Sequence, residues 1–536
     1  MNWHPNPPNP HMGSLADVEA FESVPWEQRI DGVQNTYDIF ERAAALFAQS
    51  PAITLHTSPE PDGPTITLSY EELLARITAT ANALTTLGVT DDDVITILAP
   101  NVLEFHEVLW AAERVGIACC VNWMLAPEHI AGIMRAANSR FLVTTSTQPI
   151  DAIIEALGHD LTVITFGADL DARRNAESPM ALRTSRVVGL EDIAALFHTG
   201  GTTGLPKLAK HTHRQEVLDA FASMWVNDIR AGDPIVVGLP LFHVNSVIIT
   251  GLASFVAGGH CVYLTEAGYR DKEVMAQFWR FVARHHATWF VGVPTVYAAL
   301  LALDAREADV SSLRYGLCGA APLPVAVLEE VETRFNMVLL EQYGLTEGTA
   351  MCTSNPRDGE RRHGSIGIRI PYLLTKLSPR GELLLKGPTV FAGYVNADDN
   401  ANAWVGDWLN TGDLAEIDER GYIWLKGRSK DIIIRGGHNI DPAIIEGAIA
   451  EHPAVDLVAA VGRPDAYAGE LPVAFVTLRP GATVTERELL AHAQSRVPER
   501  AAIPVQVTIL EHMPVTAVGK IFKPPLREAA AHKEES

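Results

Sequence analysis

An α/β fold of several packing units is predicted from three observations. The chain has 536 residues, too many for one ordinary hydrophobic core. Short β-branched apolar runs alternate with amphipathic helical stretches, the pattern of parallel β-α-β construction. After Gly381 the character shifts to short strands separated by turn formers, and a last unit opens near residue 431. The class expected is therefore α/β: a large N-terminal domain of parallel α/β sheets with a β-rich subdomain, followed by a small C-terminal α+β domain.

Taken in order, residues 1–14 are rich in Pro, Asn and His, carry no apolar stretch, and read as a flexible leader rather than a signal peptide. Ser69 followed by Glu72 is a capping-box pattern, and Leu73, Leu74, Ile77, Ala81, Leu84 and Leu87 then repeat at helical spacing until Gly88. A strand at 94–98, a helix over 104–115 and a strand at 117–121 follow. The alternation resumes from Ile193 to about Val338, with strands at 234–239 and 289–293. Residues 244–264 form the most membrane-like run, but His260, Asn245, Ser246 and three glycines interrupt it, so a buried helix followed by a strand is expected and no transmembrane span. Strands at 382–386 and 422–425 mark the β-rich part, and the strand 432–434 opens the last unit. The sequence has no internal repeat.

Composition narrows the function. Hydrophobic residues make up 47% and charged residues 20%, enough apolar surface for a folded protein. With 42 Lys and Arg against 65 Asp and Glu, the formal charge is −23, which repels a polyphosphate backbone and argues against nucleic acid. Cys119, Cys120, Cys261, Cys318 and Cys352 are odd in number and lack a CxxC spacing, which argues against disulfides and zinc and fits a reducing cytoplasm.

The strongest local signal is His198-Thr-Gly-Gly-Thr-Thr-Gly-Leu-Pro-Lys207, directly after the apolar run 193–197. Glycines let backbone amides point inward at an anion, threonine hydroxyls add donors or a metal ligand, and Lys207 adds positive charge. Such a nest suits a polyphosphate. The spacing differs from the common P-loop, because Gly204 is followed by Leu, Pro and Lys; a kinase or simple ATPase is thereby disfavoured.

This loop resembles that of the adenylate-forming superfamily, which includes acyl-CoA synthetases, luciferase and peptide-synthetase adenylation domains. Thr199, Gly201, Thr202, Thr203, Gly204, Pro206 and Lys207 match its pattern. His198 replaces the usual aromatic residue. Gly200 replaces the usual serine, which removes one hydroxyl but leaves the nest. Further matches arrive in family order. Leu239-Pro-Leu-Phe-His243 resembles the segment whose histidine lies near nucleotide and acyl group. Cys318-Gly-Ala-Ala-Pro-Leu323 resembles the small-residue loop that approaches adenine through Gly319, Ala320 and Ala321. Glu341-Gln-Tyr-Gly-Leu-Thr-Glu347 resembles the segment that binds nucleotide through Glu341, Gln342, Tyr343, Gly344 and Thr346; Tyr343 would stack on adenine, and Glu347, with Thr202, would hold Mg²⁺. Asp413 and Arg428 match the ribose contacts, and Pro514-Val-Thr-Ala-Val-Gly-Lys520 matches the C-terminal lysine motif.

The resemblance spans about residues 36–523 and implies an AMP-forming acyl-CoA synthetase that uses ATP, Mg²⁺ and coenzyme A on a carboxylic acid. Residues 15–429 would be the AMP-binding domain with the acyl pocket, and 430–536 a mobile domain carrying the catalytic Lys520. Lys430 would be the hinge, and rotation would bring Arg435, Gly436, Gly437 and His438 toward pantetheine. Phe242, His243, Val244, Asn245, Phe290, Val293, Thr295 and Gly319 would line a mainly apolar acyl pocket, implying a fatty, alicyclic, terpenoid or aryl acid. Members that select amino acids place an aspartate shortly after the phenylalanine; here His243, Val244, Asn245 and Ser246 follow Phe242, which disfavours an α-amino acid. Three matters stay open: a carrier protein as acceptor instead of free CoA, a homologue that binds without adenylating, and assembly as a homodimer.

Overall fold

Four sheets carry the architecture. The computed structural model describes residues 10–159, 161–199, 207–305, 308–428, 431–435, 438–465, 467–497, 500–516 and 519–531, with the side chains of Arg428, His438 and Asn439 outside that description. A nine-stranded sheet has the order Ile368–Arg369, Thr353–Ser354, Val338–Tyr343, Tyr315–Cys318, Trp289–Gly292, Pro234–Val237, His260–Tyr263, Pro51–His56 and Thr65–Ser69. Its six central strands run parallel, and antiparallel pairs close both edges. A six-stranded sheet has the order Thr162–Thr165, Ser139–Thr144, Val94–Leu98, Ile117–Cys120, Ile193–His198 and Leu208–Thr212; only its last pair is antiparallel.

Local sequence explains why these elements form where they do. Helix Tyr70–Thr86 starts at Ser69, whose hydroxyl accepts the Glu72 amide while the Glu72 carboxylate accepts the Ser69 amide, so the predicted capping box is present. Helix Leu103–Val115 ends at Gly116, where a side chain would strike the Asp93 carbonyl. The strand 94–98 is buried along its whole length, as a parallel strand covered on both faces must be.

A five-stranded antiparallel sheet formed by Leu374–Leu377, Glu382–Lys386, Trp404–Val405, Trp408–Ile417 and Ile423–Arg428 is the expected β-rich part. Its inward residues, Leu383, Leu385, Leu409 and Ile423, belong to the same core as the large sheets. The C-terminal sheet, Ile433–Arg435, His438–Ile440, Val455–Asp465, Gly469–Leu478 and Gln506–Ile509, carries helices Pro442–Ala450, Glu486–Arg496 and Pro524–Ala531. It has its own cores, one around Ile433, Ile445 and Ile449 and a second around Phe475 and Leu526. Separate cores are what a unit that repacks as a rigid body requires.

One expectation needs correction and another gains detail. Met12 is buried in the main core and Ser14 caps helix Leu15–Phe21, so the fold already includes residues 12–14 of the predicted leader; residues 1–9 lie outside the described residues. Residues 244–264 are a helix followed by a strand, as expected, but the helix begins as a π-helix over Asn245–Leu252 before turning α at Ala253–Ala257. Such wide turns recur at functional sites. Among the described residues no helix is long and apolar enough to cross a membrane. All five cysteines are buried and free.

Candidate active site

Parallel sheets offer ligands the carboxyl ends of their strands, and there the predicted motifs converge. In the large sheet the adjacent strands Pro234–Val237, Trp289–Gly292, Tyr315–Cys318 and Val338–Tyr343 lead respectively into Phe242 and His243, Val293 and Thr295, Gly319 to Ala321, and Gly344 to Glu347. In the smaller sheet Ile193–His198 leads into the glycine-rich loop. The two sheets meet through the His198 ring, which stacks on Phe242 at 6.1 Å and 21°. The Asn122 amide donates to His198 Nε2 at 3.1 Å. The histidine ring thus stacks in the place where the family pattern has an aromatic residue. Burial, with His243 nearby, pushes it down to about 4, so it is neutral.

The glycine-rich loop closes where the Thr199 amide donates to the Lys207 carbonyl at 2.8 Å. Gly200, Gly201, Thr202, Thr203, Gly204 and Pro206 lie outside the described residues. Lys207 pairs with Asp399 at 3.3 Å and lies 4.8 Å from the centre of the Tyr394 ring. Tyr394 in turn donates to Glu347 Oε1 at 2.5 Å. Asp399 and Tyr394 were not legible as site residues, because long-range pairing, such as the bridge between Ala209 and Tyr394, brings their segment to the loop.

The turn after Val338–Tyr343 is fixed from several sides. Gly344 is required, since a Cβ there would lie 1.6 Å from the Ala350 carbonyl oxygen. Thr349 takes φ +73° and its hydroxyl donates to the Thr389 carbonyl. The Asp219 carboxyl accepts the Ala350 and Met351 amides, and burial pushes it up to about 8. The Phe391 amide donates to the Glu347 carbonyl and His211 Nε2 to the Thr346 carbonyl, each within 2.9 Å. A strained turn held by this many partners fits pre-organisation. Ala320, at φ +68°, is a second strained position beside the site.

Tyr343 donates to Asp413 Oδ2 at 2.6 Å, joining the predicted adenine and ribose residues. Asp413 is paired in register with Arg428 across the neighbouring strands. Glu341 and Gln342 are different: Glu341 accepts the Gly364 amide and burial raises it to about 7, while Gln342 donates to Asn227 and Ser354. Their side chains serve internal partners. Gly319 backs onto this strand, with room of only 3.0 Å between an added Cβ and the Gln342 carbonyl.

Of the residues expected to line the acyl pocket, Phe242 and Val244 are buried and Asn245 starts the π-helix. Phe290 is fully buried against Phe278 and Tyr297, part of the aromatic core. The Thr295 hydroxyl donates to the Gly519 carbonyl at 3.2 Å, and a Cβ on Gly519 would come within 3.3 Å of Val293. That contact carries Lys520 to the site. Burial and then the Lys520 charge push His243 down to about 4. Arg435 donates to the Ala501 carbonyl within its own unit. Lys430, Gly436 and Gly437 lie outside the described residues, and only the backbone of His438 is described.

Magnesium suits the donor chemistry: Glu347 offers hard carboxylate oxygen, with Tyr394 engaging Oε1. Among the described residues no three His, Cys, Asp or Glu side chains form a metal cluster.

Fold and site together define an adenylate-forming enzyme. The AMP-binding enzyme family matches residues 40–395 and its C-terminal domain matches residues 444–520. The chain belongs to the AMP-binding enzyme family, as an ATP-dependent, AMP-forming acid–CoA ligase. It is 37% identical to the marinolic acid–CoA ligase of Pseudoalteromonas sp. (strain SANK 73390) over 552 residues, covering 96% of this chain and 84% of the relative. ATP-bound MatB from Rhodopseudomonas palustris superposes with a TM-score of 0.83 at 27% identity, covering 93% of this chain and 99% of that one. The o-succinylbenzoate–CoA synthetase MenE of Bacillus subtilis, solved with ATP and magnesium ion, gives 0.77 at 25% identity, covering 91% and 98%.

Proposed function

We propose that the enzyme activates a hydrophobic carboxylic acid in two half-reactions. In the first, a carboxylate oxygen attacks the α-phosphorus of ATP; the bond to the β-bridging oxygen breaks, and pyrophosphate leaves. In the second, the coenzyme A thiolate attacks the acyl carbon, the bond to the AMP oxygen breaks, and acyl-CoA and AMP are released. The observation that carries this reading is the seating of Gly519 on Thr295, which brings the Lys520 charge to bear on the buried His243.

Attack of anion on anion needs charge neutralised and groups held in line. Lys520 supplies positive charge between acyl oxygen and α-phosphate, and neutral His243 leaves that charge uncontested. Lys207 and the glycine-rich loop, with Thr199, Thr202 and Thr203, hold the outer phosphates. Thr346 bonds an α-phosphate or carboxyl oxygen. Tyr343 stacks on adenine while Asp413 and Arg428 take the ribose. Glu347 and Thr202 would hold magnesium, which when bound would neutralise charge on the departing pyrophosphate.

Lys520, held at the adenylate, would obstruct the thiol's approach. Rotation of residues 430–536 about Lys430 removes it and presents Arg435, Gly436, Gly437 and His438 to the pantetheine. The separate cores of that unit support such a motion. Phe242, Val244 and Val293 support an apolar acid, and five buried thiols support a cytoplasmic setting.

The test is a screen for AMP release over a library of carboxylic acids with CoA or a carrier protein as acceptor. Acid-dependent AMP and pyrophosphate with acyl-CoA formation is expected for apolar acids; ADP as product, or turnover with carrier protein alone, overturns the proposal.

A further inference from the structure

The turn carrying Thr346 and Glu347 is linked to a buried polar line that the reaction above does not use. His211 lies on Leu208–Thr212, the strand that returns from the glycine-rich loop, and its Nε2 meets the Thr346 carbonyl at 2.8 Å. A carbonyl only accepts, so Nε2 carries the hydrogen. The ring is fully buried, and burial pushes it down to about 4. A neutral imidazole has one N–H, which leaves a lone pair on Nδ1.

That lone pair faces Glu216 Oε1 at 3.5 Å. Glu216 is itself fully buried, and the buried Glu113 carboxyl is near enough to perturb its ionisation. Burial raises both carboxyls, Glu216 to about 8, so near neutral pH Glu216 keeps its proton. Glu113 accepts the Thr36 hydroxyl at 2.6 Å, which already satisfies one oxygen of that partner. A proton on Glu216 prevents two acceptors, its oxygen and Nδ1, from confronting each other. The line thus runs from Thr36 through Glu113, Glu216 and His211 to the Thr346 carbonyl.

We infer that His211 is a positioning residue for the Thr346 and Glu347 turn, with its imidazole held in the donating tautomer by Glu216. It ties the strand leaving the phosphate loop to the turn that faces the same phosphates, so the two sides of the nucleotide site keep one spacing. The inference rests on the proposed roles of Thr346 and Glu347.

The test compares His211→Leu, which removes the donor, with His211→Gln, whose amide can donate to the same carbonyl, in acid-dependent exchange of labelled pyrophosphate into ATP. His211→Leu is expected to lower kcat by about tenfold or more with KM for the acid within about twofold, and His211→Gln to stay within about threefold of the parent. Calorimetric binding of ATP with Mg²⁺ should weaken in His211→Leu and recover in His211→Gln. Equal behaviour of the two variants overturns the inference. Should His211→Leu not fold, Glu216→Leu against Glu216→Gln makes the same comparison, and equal activity of that pair overturns it likewise. Glu347→Gln separates the underlying reading: full exchange in that variant removes the role of the turn itself, whatever His211 does.

Discussion

At the scale of single residues, the site works by keeping cations where phosphate needs them and its histidines neutral. His243, buried and subject to the Lys520 charge, is held down to about 4, so near neutral pH it does not add a second charge against the incoming ammonium. Lys520→Ala should therefore lower the adenylation rate by about a hundredfold or more, the scale of a lost electrostatic stabiliser. Thioester formation from preformed acyl-adenylate should change by less than about threefold. Measuring the two half-reactions separately decides it, and equal losses in both contradict the assignment. Tyr394 acts on the opposite side of the site. Its hydroxyl donates to the Glu347 carboxylate at 2.5 Å, a charge-assisted bond of about 1.5–3 kcal/mol. Tyr394→Phe is expected to lower kcat about tenfold and to raise the Mg²⁺ concentration at half-maximal rate. A magnesium titration that matches the parent would remove Tyr394 from the site.

At the scale of elements, the turn after Val338–Tyr343 shows what a backbone can and cannot absorb. Gly344 and Gly232 are both glycines in turns, but an added Cβ meets the Ala350 carbonyl at 1.6 Å in the first and nothing within 4 Å in the second. Gly344→Ala should cost more than about 3 kcal/mol because main chain must move, whereas Gly232→Ala pays only for its φ of +79°, about 1 kcal/mol. Denaturant unfolding of the two variants tests this, and similar midpoints would contradict it. The same turn shows what was legible in sequence. Helix Tyr70–Thr86 was readable because its capping box and its apolar period lie within the segment itself. The motifs at strand ends were readable as motifs. Which of their side chains face inward was not: Glu341 and Gln342 turn to internal partners, a choice made by pairing with neighbouring strands. His211, Asp219 and Tyr394 carried no local signal either, since their partners lie 135, 131 and 47 residues away in the chain. The π-helix at Asn245–Leu252 escaped because an apolar run has no mark that distinguishes a wide turn from an ordinary one.

At the scale of the whole molecule, buried titratable groups set a pH optimum of stability with opposing limbs. The unfolded chain releases the Glu216 and Asp219 protons in the ordinary carboxylate range, while the folded protein holds both to about 8. Between those limits the folded state binds more protons, so stability falls as pH rises. The histidines act the other way. His106 and His213 are pushed down to about 3, and His198, His211 and His243 to about 4, all chiefly by burial. Below the ordinary value of about 6.5 the unfolded chain takes up protons that these folded rings refuse, so stability falls as pH drops. Among the groups shifted furthest, the histidines, which also include His260 and His285, outnumber the carboxyls, which also include Glu113 and Glu341, so the histidines dominate the acid limb and the carboxyls act above it. Melting temperature should therefore peak between about pH 6 and 7 and decline toward about 8. Glu216→Gln, which keeps shape and donor but cannot ionise, should make the alkaline limb shallower, Asp219 still contributing to it, and leave the acid limb in place. Thermal unfolding followed across that range is the measurement. A melting temperature that climbs steadily through neutrality, or an alkaline limb untouched by Glu216→Gln, would mean that the buried proton is held elsewhere.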